Sequence, residues 1–194
     1  MQRRTLLLSL SSLPLWHAAL PALANGPAQV APAWHEALPH ARLLGQGDFR
    51  WLGLRLYTAR LWVDTDWPKH GPAMTTAPWQ DHRFVLALDY HRRIRRDQFV
   101  DASLEEIARI GEPPSTASQR LAWQAAMQQA WQDVQPGDQL CGLHLPGQGC
   151  RFYSRHRHLA DIPDAHFAQA FFAIWLHART RDAALRRQLL GLVA

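Results

Sequence analysis

The sequence predicts an α+β fold, in which a mostly antiparallel sheet carries helices packed on one side. The first observation is the stretch 45–63, the longest run in the chain with the pattern of extended structure. The second is the order of the elements, because strands come first, then two helices, then strands and helices again. The third is the hairpin-sized turns, which favour antiparallel neighbours.

The stretch 45–63 is apolar on both parities, so a strand built from it is partly apolar on both faces and belongs in the middle of a sheet. Gly45, Gly47 and Gly53 interrupt it, which indicates a bulge, a bend or a close approach of another group. We expect a first strand over 41–47, a bend over 49–53 and a long strand to Val63. One parity carries Leu52, Leu54 and Leu56, and the other carries Tyr57, Ala59, Leu61 and Val63.

A proline-rich excursion over 64–80 follows, and then a strand over 83–90. Asp97 is the predicted N-cap of a first helix that Gly111 ends, and 118–133 form a second helix. The first helix should bury Phe99, Ser103, Ile107 and Ile110, and the second should bury Trp123, Met127, Ala130 and Val134.

The C-terminal part begins with a turn at Pro136-Gly137-Asp138. Two strands, 139–145 and 150–154, should then form a hairpin around residues 146–149, and 157–162 add a third strand. Pro163 is predicted to start the most buried helix, which runs to Leu176, and a last amphipathic helix covers 182–190.

The two cysteines are predicted to remain free thiols. In the expected hairpin Leu145 faces Cys150, and Cys141 lies four residues further along the same strand. At about 3.3 Å per residue the separation is about 13 Å, beyond the roughly 7 Å that a disulfide can bridge.

The first 24 residues have the pattern of a signal peptide: Arg3 and Arg4, an apolar run over 6–15, and Ala22-Leu23-Ala24 as a cleavage site. We therefore expect a periplasmic protein with a leader over 25–40, one domain over 41–192, and no membrane span after signal cleavage. The formal charge of +5 falls to +3 without the two arginines, which does not indicate a nucleic-acid partner.

The order Gly-x-Gly, a nearby arginine and an aromatic-rich strand ending in Leu61-Trp62-Val63 resembles the opening strands of the chalcone isomerase-like family, in particular its bacterial exported branch. The similarity covers roughly residues 43–191. It implies an open-faced β-sandwich with a ligand cleft between the large sheet and the helices. Its further segments are 97–106 (DQFVDASLEE), 134–140 (VQPGDQL), 146–149 (PGQG), 167–176 (FAQAFFAIWL) and 185–191.

The resemblance also implies five positions that hold the flavonoid in true chalcone isomerases. Arg50 retains the arginine, shifted by one residue, but the threonine, tyrosine, asparagine and late serine or threonine are replaced. A benzyl ring cannot donate the hydrogen bond of a phenol, so chalcone cyclisation is not expected. We expect the replaced positions to line a ligand-binding cleft together with Arg50. They are occupied by Tyr57, Phe99, Glu106 and Ile174.

Residues 91–96 (HRRIRR) place four arginines before the first helix, whose N-terminus is itself partly positive. One interpretation is a carboxylate site that includes Arg95 and Arg96. With Arg50 and Tyr57 on the neighbouring strand, a fatty-acid-like ligand is then favoured, by analogy with plant relatives of the fold that bind fatty acids. The other interpretation is a solvated basic turn offset by Asp97, Asp101 and Glu105.

Other chemistries lack a supporting pattern. His156 and His158 share one face of a strand, but no further metal ligands have the usual spacing, so we predict surface histidines and no metal site. The sequence has no Gly-x-Ser-x-Gly elbow and no glycine-rich phosphate loop before a helix, and no cofactor is predicted.

Three functions remain as hypotheses. The first is a non-catalytic periplasmic protein that binds a small apolar acid or other carboxylate ligand. The second is an intramolecular lyase or isomerase of unknown substrate that uses Tyr57 and Arg50, with Glu106 as base. The third is an interaction protein whose exposed Trp67 and Trp79 contact another envelope component.

Overall fold

A computed structural model describes residues 31–68 and 79–192. In this part of the chain six strands form one antiparallel sheet, and every strand pairs with its neighbour in sequence. Two helices connect the third and fourth strands, and two more follow the sixth, which confirms the predicted α+β fold. The elements are β1 (Arg42–Trp51), β2 (Leu54–Val63), β3 (Phe84–Tyr90), α1 (Arg96–Ile110), α2 (Ala117–Ala130), β4 (Gln139–Leu145), β5 (Gly149–Ser154), β6 (His158–Ile162), α3 (Ala165–Leu176) and α4 (Ala183–Leu189).

A two-residue hairpin stands where a bend over 49–53 was predicted. β1 continues to Trp51, and the chain reverses at Leu52 and Gly53, whose φ angles are 49° and 78°. β1 and β2 remain paired up to Trp51 opposite Leu54. This pairing extends β1 beyond its predicted end, through residues whose sequence shows no clear apolar alternation. β2 is an interior strand, and its predicted core face is confirmed, since the odd-numbered residues from Tyr57 to Val63 are buried.

The first two glycines allow helix α4 to lie directly on β1. A Cβ atom at Gly45 would collide with the backbone carbonyl oxygen of Gln188, and one at Gly47 would collide with the Gln188 side chain. The pairing of β1 with β2 also shifts register between Leu43 and Gly45. Both the bulge and the close approach that the glycine pattern predicted are therefore present.

Two helix starts differ from the prediction. Helix α1 begins at Arg96, because the Gln98 side chain accepts a hydrogen bond from the Arg95 backbone N–H at 3.3 Å; Asp97 lies inside the helix. Helix α3 is capped by Asp164, which accepts hydrogen bonds from two backbone N–H groups, so Pro163 precedes the cap. In both cases a side chain at the helix start, at N3 in α1 and at the N-cap in α3, accepts hydrogen bonds from free backbone N–H groups.

Helix α2 is shorter than predicted at its C-terminal end. It is capped by Thr116, whose hydroxyl accepts a hydrogen bond from the Gln119 N–H at 3.2 Å, and it ends at Ala130. Val134 instead forms an isolated bridge with Ile94. The predicted stripes are otherwise buried or packed against the core.

The main core lies between the sheet and helix α3, which contacts β4 and β5 on one side and α1 on the other. The α3 sequence is apolar around its whole circumference because it is covered on both sides. Phe172 packs edge-on against Phe84 of β3 with ring centroids 4.9 Å apart. This helix forms one wall of the site described below.

The opposite face of the sheet has a smaller core. Trp34, in a 3-10 turn over Ala33–Ala37, and Leu38 pack on residues of β3, β4 and β5, including Val85, Leu143 and Tyr153. These two residues come from the segment predicted as a leader. They belong to the compact unit that begins at Ala31.

The prediction that Trp67 and Trp79 are exposed is wrong. Trp67 is 3% exposed and Trp79 is 7% exposed, and both rings pack edge-on against Phe84 at centroid distances of 6.1 Å. Each indole thus packs on the first residue of β3. The tryptophans are therefore not available as a contact surface.

Both cysteines are free, as predicted, and both are buried. The hairpin register differs by one residue from the expected one, because Cys150 lies opposite His144 and Leu145 lies opposite Gly149. The shift places Cys150 in the main core and Cys141 in the smaller core on the other face. The sheet itself therefore separates the two thiols.

The predicted signal peptide and residues 69–78 of the excursion lie outside the described residues. Within 31–68 and 79–192 no helix combines the length and the apolar character needed to cross a membrane.

Candidate functional site

A cavity of about 450 Å³ opens between the β1–β2 hairpin, helix α1 and the α3–α4 connection. Its volume is within the range usual for small-molecule sites, roughly 300–1,000 Å³. The wall is mainly aromatic and aliphatic, with a few polar groups at one side. The apolar lining consists of Phe49, Trp51, Leu56, Tyr57, Ile94, Phe99, Ala102, Ile174, Trp175 and Leu185.

Tyr57 projects from β2 into the cavity wall. Its ring stacks on Phe49 with centroids 5.0 Å apart, and its oxygen accepts a hydrogen bond from Trp175 Nε1–H at 3.0 Å. Because the indole nitrogen can only donate, the phenol proton is not used in this bond. Burial raises the pKa of Tyr57, so the hydroxyl keeps its proton and can donate to a ligand.

Glu106 and Arg181 form the polar side of the cavity. One Glu106 oxygen lies 2.6 Å from Arg181, and the other accepts two hydrogen bonds from Arg109 at 2.7 and 3.0 Å. Arg181 also contacts Glu105 at 3.2 Å. The Glu106 side chain is 16% exposed, whereas that of Glu105 is 72% exposed. The Arg181–Glu106 pair is therefore better shielded from solvent than the Arg181–Glu105 pair.

Glu106 is poorly placed to act as the base of the isomerase hypothesis. Each of its two oxygens is occupied by a guanidinium group. Accepting a proton from a ligand would break an ion pair in a partly buried place, which is costly. The arrangement instead fixes the guanidinium of Arg181 at the cavity wall.

The structure brings together four of the seven predicted ligand-binding residues. Tyr57, Phe99, Glu106 and Ile174 all line the cavity, whereas Arg50 does not. Phe49 and Trp51 of β1 line the cavity, so Arg50 between them points to the opposite face of the strand. Its side chain is 59% exposed there and lies 3.5 Å from Asp48. The prediction that Tyr57 shares a cavity with Phe99 is confirmed, and the same prediction for Arg50 is wrong.

Arg95 and Arg96 also lie outside the cavity lining. The basic turn is held by Asp133, which accepts hydrogen bonds from the Arg96 backbone N–H at 3.0 Å and from the Arg93 guanidinium at 3.4 Å. These bonds lower the pKa of Asp133. The charge at the start of α1 is thus offset mainly by a residue that follows α2, together with Asp97, which lies 3.1 Å from Arg96.

The cation that does reach the cavity, Arg181, was not among the predicted site residues. It lies in the short connection between α3 and α4, next to the N-cap Asp182. In the sequence it is one of two arginines in the segment 177–182 and belongs to no recognisable motif. Only the packing of this connection against α1, through the Arg181 contacts with Glu105 and Glu106, marks it as part of the site.

Among residues 31–68 and 79–192, no group of three or more His, Cys, Asp or Glu side chains is arranged to hold a metal ion. His156 and His158 are exposed, as predicted, and His158 Nε2 lies 2.6 Å from Asp161. The cavity wall therefore offers hydrogen-bonding and ionic groups to a ligand: the Tyr57 hydroxyl and the Arg181–Glu106 pair.

Two known proteins are similar to this chain over most of its length. A fatty-acid binding protein of Arabidopsis thaliana has a similar structure, with a TM-score of 0.60, 14% sequence identity, and coverage of 79% of this chain and 88% of that one. A Haemophilus influenzae protein described as uncharacterized is 26% identical over 152 residues, which are 78% of this chain and 69% of that protein. The first likeness shows the chalcone isomerase-like fold, as the sequence predicts.

A family model described as chalcone isomerase-like matches residues 42–191, from the start of β1 to just beyond α4. The match includes every strand and helix that lines the cavity. This chain belongs to the chalcone isomerase-like family.

Proposed function

We propose that this protein is a non-catalytic binder of a small apolar acid, which it holds in the cavity between sheet and helices. The observation that carries the proposal is the pairing of a mainly apolar wall with one polar side, where Arg181 and the Tyr57 hydroxyl offer donors. A fatty-acid-like molecule has the matching distribution, an apolar chain with one terminal anion. The fatty-acid binding activity of the Arabidopsis protein supports this proposal by analogy.

In the proposed complex the ligand carboxylate exchanges with Glu105 on Arg181. Glu105 is well exposed and can return to solvent at little cost. Glu106 keeps its contact with Arg181 and its two hydrogen bonds from Arg109, so Arg181 stays in place at the cavity wall when the ligand carboxylate replaces Glu105. The phenol proton of Tyr57 can provide a further hydrogen bond to a ligand oxygen.

The isomerase alternative has less support. It requires Arg50 beside Tyr57 and a free carboxylate at Glu106. Arg50 points away from the cavity, and Glu106 is engaged by two arginines. A binding site needs only the donors that are present.

The test is displacement of a fluorescent fatty acid by three ligands with the same alkyl chain: a carboxylic acid, an alcohol and an amine. The acid should bind most tightly to the wild type. Arg181→Gln should weaken acid binding by roughly 1.5–3 kcal/mol, the range for hydrogen bonds to charged groups, and should have much less effect on alcohol binding.

Arg95→Gln is the matched control, because Arg95 is an exposed arginine outside the cavity. It should leave all three affinities unchanged. A preference for the amine would contradict the proposal, since it would mean that Glu105, Glu106 and Asp182 dominate the polar side of the cavity. Equal acid affinity for wild type and Arg181→Gln would contradict it as well.

We also propose that the protein is exported and acts in the periplasm. The charged start, apolar run and small-x-small sequence over 1–24 support this location. Cell fractionation together with the intact mass of the mature protein tests it. A mature chain that begins at Asn25 in the periplasmic fraction is expected, and a full-length chain in the cytosol would contradict the proposal.

A further inference from the structure

The tip of the β1–β2 hairpin exposes three large apolar side chains. Leu52 is 88% exposed, Leu54 52% and Trp51 50%, and Gly53 is the remaining residue of the tip. A single exposed leucine is ordinary on a protein surface. Three large apolar residues within four positions of a projecting turn form a concentrated apolar surface, which is typical of a binding surface.

The backbone of the tip indicates that folding alone does not account for Leu52. Leu52 and Gly53 both have positive φ, as in a type I′ turn, where asparagine followed by glycine is strongly preferred. Leu52 is the one non-glycine residue with positive φ between 31 and 68 or between 79 and 192. A bulky residue at such a position is strained, and strain of this kind is characteristic of functional sites.

Arginines surround the apolar tip. Arg50 and Arg55 flank it in sequence, and they share one carboxylate, Asp48, at 3.5 Å each. The basic turn 91–96 lies at the same end of the sheet, because the His91 backbone N–H donates to the Leu56 carbonyl oxygen at 2.8 Å. In the described part of the chain, its members Arg92 and Arg95 make no ion pair.

The apolar tip also contributes to the cavity wall. Trp51 of the tip belongs to the cavity lining, as do Leu56 just beyond the tip and Ile94 of the basic turn. Trp51 is therefore both half exposed and in contact with the cavity. A surface that covers the tip would face the cavity opening.

We propose that the hairpin tip, residues 51–54, its flanking Arg50 and Arg55, and the basic turn 91–96 form a docking surface for an anionic lipid bilayer. Leu52 and Trp51 enter the boundary between headgroups and acyl chains, and the arginines bind lipid phosphates. The surface combines insertion of apolar groups with positive charge. Peripheral membrane proteins use the same combination. A bilayer is favoured over a protein partner because three strongly exposed apolar side chains lie next to a run of arginines, which matches acyl chains beneath anionic headgroups.

Vesicle flotation without any added cavity ligand tests the docking surface separately from the proposed function. The wild type should float with vesicles of equal parts phosphatidylglycerol and phosphatidylcholine, and much less with phosphatidylcholine alone. Binding to the anionic vesicles should fall steeply between low and high salt, because the phosphate contacts are screened.

Leu52→Asn is the decisive variant, because asparagine suits the turn better than leucine and the protein should remain at least as stable. We expect its vesicle affinity to fall at least about tenfold, from the loss of one inserted leucine. Leu121→Asn removes another exposed leucine, which is 66% exposed on α2, and should leave binding unchanged. Arg92→Gln should reduce binding about fivefold, the effect of one arginine near an anionic surface.

Failure of the wild type to float with the anionic vesicles would overturn the proposal. So would undiminished flotation of Leu52→Asn, or equal flotation on both kinds of vesicle at all salt concentrations. A change of oligomeric state in Leu52→Asn, with unchanged vesicle binding, would instead assign the tip to contact between copies of the chain.

Discussion

Trp175 of helix α3 donates a hydrogen bond from Nε1 to the phenol oxygen of Tyr57 on β2, at 3.0 Å and across 118 residues of sequence. The bond joins the helix layer to the sheet at the wall of the cavity. Both side chains are buried, so neither group can exchange this partner for bulk water. The bond therefore fixes Tyr57 in the cavity wall with its own proton unused, and it stabilises the fold.

Tyr57→Phe should reduce both stability and ligand affinity. The Trp175 N–H would lose its acceptor in a buried place, which costs about 1–3 kcal/mol of unfolding free energy. Affinity for an acid should fall at least about tenfold, because a hydrogen bond to a charged group contributes about 1.5–3 kcal/mol. Denaturant unfolding and fatty-acid titration measure the two effects. Tyr153→Phe, on the other face of the sheet, should leave affinity unchanged, and an unaltered affinity for Tyr57→Phe would exclude its hydroxyl from the site.

Ile174→Trp should block the cavity without unfolding the protein. Ile174 lies on the cavity wall and is partly exposed, so a larger side chain can extend into the open space. We expect fatty-acid affinity to fall more than tenfold while the free energy of unfolding changes by less than about 1.5 kcal/mol. Leu121→Trp, an exposed position on α2, is the size-matched control. Normal binding by Ile174→Trp would place the ligand elsewhere.

Gly45→Ala should be strongly destabilising although it adds a single methyl group. The new Cβ would overlap the backbone carbonyl groups of Gln188 and Leu189, which are held in α4 and cannot move as a flexible side chain can. Overpacking of this kind costs about 1–3 kcal/mol, measured by urea unfolding. Gln46→Ala, at the exposed neighbouring position, should change stability by less than about 0.5 kcal/mol. A neutral Gly45→Ala would mean that α4 is not seated on β1.

Stability should fall below pH 6.5 because of His144. Burial lowers the pKa of this histidine from its usual 6.5, although the bond from Nδ1–H to the His82 carbonyl oxygen, at 2.9 Å, partly opposes the shift. Between the folded pKa and 6.5 the unfolded chain binds more protons, so the free energy of unfolding decreases as pH falls through this window. His144→Gln retains a donor for the carbonyl and should show a shallower decrease between pH 7.5 and pH 5. Equal pH slopes would contradict the assignment.

Much of the fold was predictable because the relevant signals are local. Alternation in β2 and β3, the glycine at the end of α1 and the fully apolar sequence of α3 each determine an element through short-range physics. The hairpin at Leu52 was missed for the same reason. Its sequence lacks the usual turn residue at that position, and only the pairing of β1 with β2 extends the strands to it.

The site was predictable only in part. Four predicted residues lie on regular strands and helices at positions that match the family's site positions: Tyr57, Phe99, Glu106 and Ile174. Their positions in the sequence were therefore enough to predict that they line the cavity. Arg50 was misplaced because the sequence predicted a bend over 49–53, whereas β1 continues to Trp51. Phe49 and Trp51 face the cavity, so strand alternation points Arg50 away from it. Arg181 could not have been identified, because its role comes from contacts with α1.

The small core on the far side of the sheet affects how the protein should be shortened for study. The family match begins at Arg42, but the apolar face formed by Val85, Leu143 and their neighbours is covered by Trp34 and Leu38, which precede that boundary. A chain cut at residue 42 would keep the whole cavity and yet present a bare hydrophobic patch to solvent. Such a fragment is expected to self-associate through this exposed hydrophobic surface. The resulting oligomer could be mistaken for a natural one or for an assembly that depends on ligand.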